Sequence, residues 1–280
     1  MVGAMVALPT GDAIAKHLLM VTEHSPGFLA WTRFAVGAAL IVPLAWHGFD
    51  VRALGTRFLA QQLLRAALIA ATIVLIITAL GMSPLPKVFG AFFIGPIVSL
   101  VLAVTWLGER AGALEWLSVG LGFVGVLLVV QPGTGIETGM LWALSAGLCY
   151  GTFLAATRWA AGHGTPLVQL AAQLVLGGLM LSPFAVAELD VGGVQRPAWL
   201  LLMCLCSVTA NLLSLMAYAY AGAAWLAPVV YVQLVAATTL GATFFDERVG
   251  PVAATGLALI VLTGVLRLPL GRSRRHAGPT

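Results

Sequence analysis

Charge is what this sequence lacks. Of its 280 residues only 9% are Asp, Glu, Lys or Arg, against about 25% in a soluble domain. A water-facing surface needs polar groups, and too few are present to supply one. A soluble globular fold is excluded. The +4 net charge is no nucleic-acid footprint either, because much of it sits in Arg267, Arg272, Arg274 and Arg275 beside the last apolar run. That is a juxtamembrane cluster placed to face anionic lipid. Cysteine is scarce as well. Cys149, Cys204 and Cys206 all lie inside apolar runs, and an odd, buried set argues against a disulfide framework. No His or acidic partner stands near the Cys204-x-Cys206 pair, so small buried hydrophobes are the reading and no metal or other cofactor is expected. The first apolar run has no small-residue cleavage site and carries Asp12, Lys16 and His17. It reads as a retained helix rather than a signal peptide.

What is abundant is apolar length. Hydrophobic residues make up 60% of the chain and the mean hydropathy is +1.02. A spanning helix needs about 20 mainly apolar residues. Runs of that kind fall at 3–21, 27–46, 62–81, 85–106, 112–130, 138–157, 166–187, 198–219, 223–244 and 251–269. The expected fold is all-α and integral to the membrane, with ten helices joined by connectors too short for a soluble domain.

The two halves repeat. Pro26, Gly37 and Pro43 recur 140 positions on as Pro166, Gly177 and Pro183, and Glu109-Arg110 recurs 138 on as Glu247-Arg248. Each half therefore holds five helices. An odd repeat forces its second copy to enter the bilayer from the opposite side, giving two inverted repeats, an architecture of many alternating-access transporters. With residue 1 inside, the inner segments hold Arg52, Arg57, Arg110, Arg158 and the four tail arginines, and the outer loops only Arg196 and Arg248. The positive-inside bias thus places both termini in the cytoplasm, in a cell (inner) membrane.

Certain helix ends carry a resemblance. Trp31-Thr32-Arg33-Phe34 opens the second helix, Leu107-Gly108-Glu109-Arg110 closes the fourth, and the Gly-rich fifth ends Val129-Val130-Gln131-Pro132-Gly133. Together with the doubled five-helix plan, these resemble the EamA family of the drug/metabolite transporter superfamily over nearly the whole chain. The resemblance implies a first repeat over 1–133, a second over 134–270 and a basic tail over 271–280. It also implies a central cavity between the repeats and movement, often export, of a small metabolite. The second half departs from the pattern, with Gln173 in place of the arginine and Asp246 in place of the glycine before the glutamate.

Ionisable residues inside spans are site candidates by default. Asp12 and Lys16 share one face of the first helix, four residues apart. They form either a substrate or proton site or a self-neutralising pair, and a proton is the possible coupling ion. Arg33 pairs with Asp12 or snorkels to the headgroups. Lys87 follows Pro84 and Pro86 and is either a cavity or a snorkelling lysine. Tyr150, Tyr218 and Tyr231, with Asn211 and Gln233, sit mid-helix, where they need hydrogen-bond partners that a cavity supplies. Trp142 joins them as a candidate. Trp46, Trp106, Trp116 and Trp199 lie near helix ends and suit an interfacial belt. Glu109-Arg110 and Glu247-Arg248 read as gate or capping ion pairs at equivalent helix ends.

Gly120-x-Gly122-x-x-Gly125 matches a nucleotide fingerprint in letters only, since no strand precedes it. Close helix packing explains it, and Gly147-x-x-x-Gly151 likewise. Gly95-Pro96 in the fourth span and Pro228 in the ninth are expected to interrupt symmetry-related helices near a binding site. A polytopic enzyme is the distant alternative, but no His-x-x-x-Glu-His or Gly-x-Ser-x-Gly arrangement supports it. A channel or receptor is disfavoured by the short connectors. The leading reading is a secondary transporter, acting as a monomer or homodimer. If Lys16 neutralises Asp12, Arg33 is left to hold a substrate carboxylate, as in an amino acid or organic acid. If Arg33 takes Asp12 instead, an aromatic cage for cationic amines or drugs is the alternative.

Overall fold

The computed structural model describes residues 1–46, 55–108, 112–131, 137–160, 165–189, 194–220 and 232–265. Every regular element in them is an α-helix: α1 (Val2–Val21), α2 (Pro26–Ala45), α3 (Thr56–Met82), α4 (Leu85–Phe92), α5 (Ile94–Thr105), α6 (Ala113–Val130), α7 (Thr138–Trp159), α8 (Pro166–Leu189), α9 (Pro197–Tyr220), α10 (Val232–Phe244) and α11 (Pro251–Val265). In lipid the backbone must satisfy its own polar groups, which leaves the helix as the economical choice for such apolar runs. Seven helical stretches, α4 and α5 counting as one, are long and apolar enough to cross a bilayer. Among the described residues three shorter apolar stretches, Gly120–Val130, Val232–Phe244 and Pro251–Thr263, lie in the remaining runs expected to span.

Local signals fix several ends. Ser25 caps α2, its Oγ accepting from the Phe28 N–H at 3.1 Å, with Pro26 at the first helical position. The expected third span was too short at its start: α3 begins at Thr56, and its polar first turns carry Gln61, Gln62 and Arg65 into the bundle.

The two-repeat plan is visible in the packing. α3 lies against α7 as α1 lies against α9, α3 meets α8 as α9 meets α2, and α5 packs on α7 as α10 packs on α1. α2 with α8, α4 with α10 and α6 with α11 pair across the axis. At the α2–α8 crossing the reciprocity reaches single residues. A Cβ at Gly177 would lie 2.5 Å from the Phe34 ring, and one at Gly37 would lie 3.0 Å from Leu174. Positions 34 and 174, like 37 and 177, are 140 apart. The backbone obeys the same rule at the ends of the fourth and ninth spans, where Gly108 has φ +68° and Asp246 φ +50°. Asp246 thus replaces glycine while keeping its left-handed conformation, which aspartate tolerates better than most residues.

The fourth span is interrupted, but at Phe93 rather than at Gly95-Pro96 itself. The reason is the reach of proline: Pro96 has no N–H to give the Phe92 carbonyl four residues back and clashes with it. The freed Phe92 carbonyl turns to α7, 2.6 Å from where a Gly147 Cβ would be, and the Gly95 carbonyl stands 2.4 Å from the corresponding point at Gly151. The Gly147-x-x-x-Gly151 pair is therefore the seat for the broken helix. Of the glycines at 120–125, only Gly125 makes a tight crossing, against Gly256 and Ile260 of α11. Pro228 lies outside the described residues.

Candidate functional site

A cavity of about 280 Å³ lies between the repeats. Its lining runs along α1 from Asp12 to Met1, and takes in parts of α2, α3, α4, α7, α8, α9 and α10. Phe92, Tyr150 and Phe153 form an aromatic wall, with the Tyr150 ring 5.0 Å from Phe92 and 6.1 Å from Phe153. Gln173, Asn211 and Gln233 contribute amides. Of the sequence candidates, Asp12, Arg33, Tyr150, Asn211 and Gln233 all meet here.

Of the two charge pairings left open by the sequence, the structure has Arg33 with Asp12. Asp12 Oδ1 accepts from Arg33 Nη1 at 2.6 Å, and both side chains are 5% exposed. Arg33 Nη2 also donates to the Gly11 carbonyl at 3.0 Å. Lys16, one turn on from Asp12, points away from the cavity lining. Its Nζ donates to Glu247 Oε1 at 2.5 Å and to the Ser83 carbonyl at 2.8 Å, over the Phe245 ring. The Asp12–Lys16 pair is thus corrected: sharing a helix face does not outweigh a bidentate-capable guanidinium arriving from α2. Arg33 is not left free for a carboxylate by that route. Two buried polar atoms of the lining nonetheless have no partner, Arg33 Nε and Ser207 Oγ.

Glu247 likewise pairs with Lys16 rather than with its neighbour Arg248. Its second oxygen accepts the Leu85 N–H at 2.8 Å and so caps the start of α4, a helix whose first position has no side-chain cap of its own. A Cβ at Gly241 would lie 2.6 Å from that carboxylate, so the glycine makes the room. Lys87 is corrected out of the cavity: it binds Glu137 at 2.7 Å in a pair about one-third to one-half exposed. Lys87 holds the Glu137 carboxyl below its usual range by hydrogen bonding and charge, with burial opposing and Ser83 helping. His24 Nδ1 meets Glu188 at 2.5 Å, and Ser25 adds its Oγ–H and N–H to the same carboxylate. These three ties lie on the face of the bundle opposite residue 1, where α1 ends and α2, α4 and α7 begin.

Trp142 is 39% exposed and absent from the cavity lining, a correction to its placement there. Trp46, Trp106, Trp116 and Trp199 are exposed at helix ends, as an interfacial belt requires. Tyr231, Glu109 and Arg110 lie outside the described residues, as does the side chain of Tyr218. One ionisable residue missing from the candidates is Arg65 on α3, 5% exposed. The signal for it is present: it lies within the expected span at 62–81, three residues after Gln62.

The sequence model described as the EamA-like transporter family matches residues 1–131 and 137–267. A "Riboflavin transporter" of Rhizobium johnstonii (strain DSM 114642 / LMG 32736 / 3841) is 28% identical over 286 aligned positions, covering 99% of this chain and 93% of the relative. "Protein RarD" of Streptomyces exfoliatus is 31% identical over 101 residues, or 36% of this chain and 32% of that one. A solved structure titled "Crystal structure of protein" superposes with TM-score 0.61 at 15% identity, covering 96% and 97% of the two chains, and shows the shared fold alone.

Proposed function

The chain belongs to the EamA-like transporter family, and on that premise we propose that it moves a small metabolite by alternating access around the central cavity. The observation that carries the reading is the unequal state of the two faces. The cavity lining reaches Met1 on one face, while Lys16–Glu247, Lys87–Glu137 and His24–Glu188 tie the opposite face together. With both termini in the cytoplasm, as the arginine bias supports, this is an inward-facing arrangement. Export is the direction the family favours. The Asp12–Arg33 pair sits where the cavity ends, and Asp12, the one acid of the described lining, is our candidate for the coupling site.

The lining supports a substrate with a planar apolar body and polar edges. Aromatic rings stack on the first, and the amides with Arg33 Nε and Ser207 Oγ meet the second. The relative named for riboflavin transport is consistent with such a shape. The Arg33–Asp12 pairing is the arrangement tied to the cationic-amine alternative, for which Phe92, Tyr150 and Phe153 would be the aromatic wall.

Purified chain in proteoliposomes tests the proposal. Saturable flux of a panel of metabolites, responsive to an imposed pH gradient and uncoupled by Asp12→Asn, is expected. Solute movement that never saturates would indicate a channel, and turnover in detergent without a gradient would indicate an enzyme; either result sinks the reading.

A further inference from the structure

Arg65 is the buried cation that the described ion pairs leave out. Salt bridges engage Lys16, His24, Arg33 and Lys87; among the described residues Arg65 donates only to neutral oxygens. Its Nε donates to Thr157 Oγ1 at 3.1 Å, and its Nη1 donates to Gln62 Oε1 at 2.6 Å and Gln169 Oε1 at 3.0 Å. The plane lies over the Phe153 ring at 5.6 Å. Three helices, α3, α7 and α8, thus converge to hold one guanidinium without neutralising it. An uncompensated charge inside a membrane bundle is costly and is characteristically retained for an ion or ligand.

The fork is unevenly satisfied. Nη2 has two N–H donors, and its described contact is Gln173 Oε1 at 3.4 Å, near the limit for a hydrogen bond. Gln173 lines the cavity, as does Phe153. The one loose edge of the guanidinium is therefore separated from the cavity by a single amide side chain. Gln173 stands at the position equivalent to Arg33, 140 residues on, so the repeat has placed a neutral, rotatable group where the other half has a paired charge.

We propose that Arg65 is an anion-binding subsite of the cavity, in which Gln173 swings aside and the Nη2 edge takes a carboxylate group of the substrate. The inference rests on the transporter reading and supplies the charge of its substrate. Thr157, Gln62 and Gln169 keep the guanidinium planar and aimed, and the carboxylate completes it with a charge-assisted bond. Arg33 is not needed for this role. The chemical class is a small carboxylate whose apolar body rests against Phe153 and Tyr150.

The full chain in nanodiscs, titrated with phenylacetate and with its neutral isostere phenylacetamide, provides the test by thermal unfolding. The carboxylate is expected to raise the midpoint and the amide to leave it in place. Arg65→Gln should weaken the carboxylate response about ten- to hundredfold. Gln173→Glu places a carboxylate on Nη2 from within, so its ligand-free midpoint should rise and its response to phenylacetate should vanish. A purely structural Arg65 would leave no carboxylate response for either variant to remove, whereas the ligand-free rise in Gln173→Glu reports only the new ion pair. Equal responses to the two isosteres, or a full carboxylate response in Arg65→Gln, overturns the subsite. Should Arg65→Gln fail to fold, an undiminished response in Gln173→Glu does so equally. Saturable flux of any solute into vesicles is read separately: flux without carboxylate preference removes the subsite and leaves the transporter reading standing.

Discussion

Removing the carboxylate of Asp12 exposes how the cavity end is held. In Asp12→Asn, Arg33 keeps neutral acceptors, an amide oxygen and the Gly11 carbonyl at 3.0 Å, but loses its opposing charge. Its side chain is 5% exposed, so water does not replace the lost charge. Breaking a buried pair from one side costs about 3–5 kcal/mol, because the surviving charge stays desolvated. That is roughly a hundred- to several-thousandfold in the folded-to-unfolded ratio. Asp12→Asn should therefore lower the thermal midpoint of detergent-purified protein sharply. Adding Arg33→Gln removes the orphaned charge and should restore most of the loss, an interaction energy visible in a double-mutant cycle. Adding Lys16→Met to Asp12→Asn should instead be additive, since Lys16 answers to Glu247. The reasoning is refuted if Asp12→Asn is as stable as the native chain, or if Lys16→Met rescues it and Arg33→Gln does not.

Further outcomes follow from the same contacts. Glu247→Gln should loosen the closed face, seen as faster labelling of a cysteine at the buried Ser83 by a water-soluble maleimide in a chain lacking Cys149, Cys204 and Cys206; unchanged labelling counts against a latch. Cysteines at Tyr150, Asn211 and Gln233 should react from the aqueous phase in a transport-active state while one at Trp142 stays shielded by lipid, and the reverse order would contradict the cavity. Because Lys87 lowers the Glu137 carboxyl, that pair adds stability above the ordinary value of 4.5 and loses it as pH falls below that value through the lowered one. A pH series of midpoints should show this acid-side loss shrink in Lys87→Met. Reporter fusions at residue 280 should be active only as cytoplasmic reporters; activity of an export-dependent reporter there would invert the assigned orientation.

The fold was legible because its causes are local and repeated. Apolar length marked the spans, and Pro43 with Pro183 or Gly37 with Gly177 marked the axis, since crossing helices need the same small residues on both sides. The site was legible in its members but not in its pairings. Asp12 has Lys16 one turn away in sequence, yet its cation comes from α2 and that of Glu247 comes from α1. Helical periodicity says which side chains share a face and nothing about which neighbouring helix the face meets. The interruption at Phe93 shows the same limit on a smaller scale, for a proline acts four residues upstream of itself. Trp142 stands only four residues into α7 (Thr138–Trp159), so its depth suits an exposed tryptophan near a helix end better than a cavity wall.

The division between what repeats and what does not carries a functional argument of its own. The repeated features are mechanical: the Phe34–Gly177 and Leu174–Gly37 contacts, and the left-handed ends at Gly108 and Asp246. The proposed rocking of one repeat against the other requires equivalent hinges and crossings in both, and these positions meet that requirement. The chemical groups break the two-fold rule. Arg33 faces Gln173 across the axis, and Arg65 has only the uncharged Met203, Cys204 and Leu205 at 138 to 140 residues on. A symmetric pair of charges would present the same groups to a substrate in two orientations and fix neither. One charged pair at Asp12–Arg33 and one uncompensated cation at Arg65 instead give the cavity a direction, with its amides and aromatic rings between them. On the proposed alternating-access reading, the shared crossings suit a reversible motion, and the local loss of symmetry suits a single asymmetric solute held in one pose.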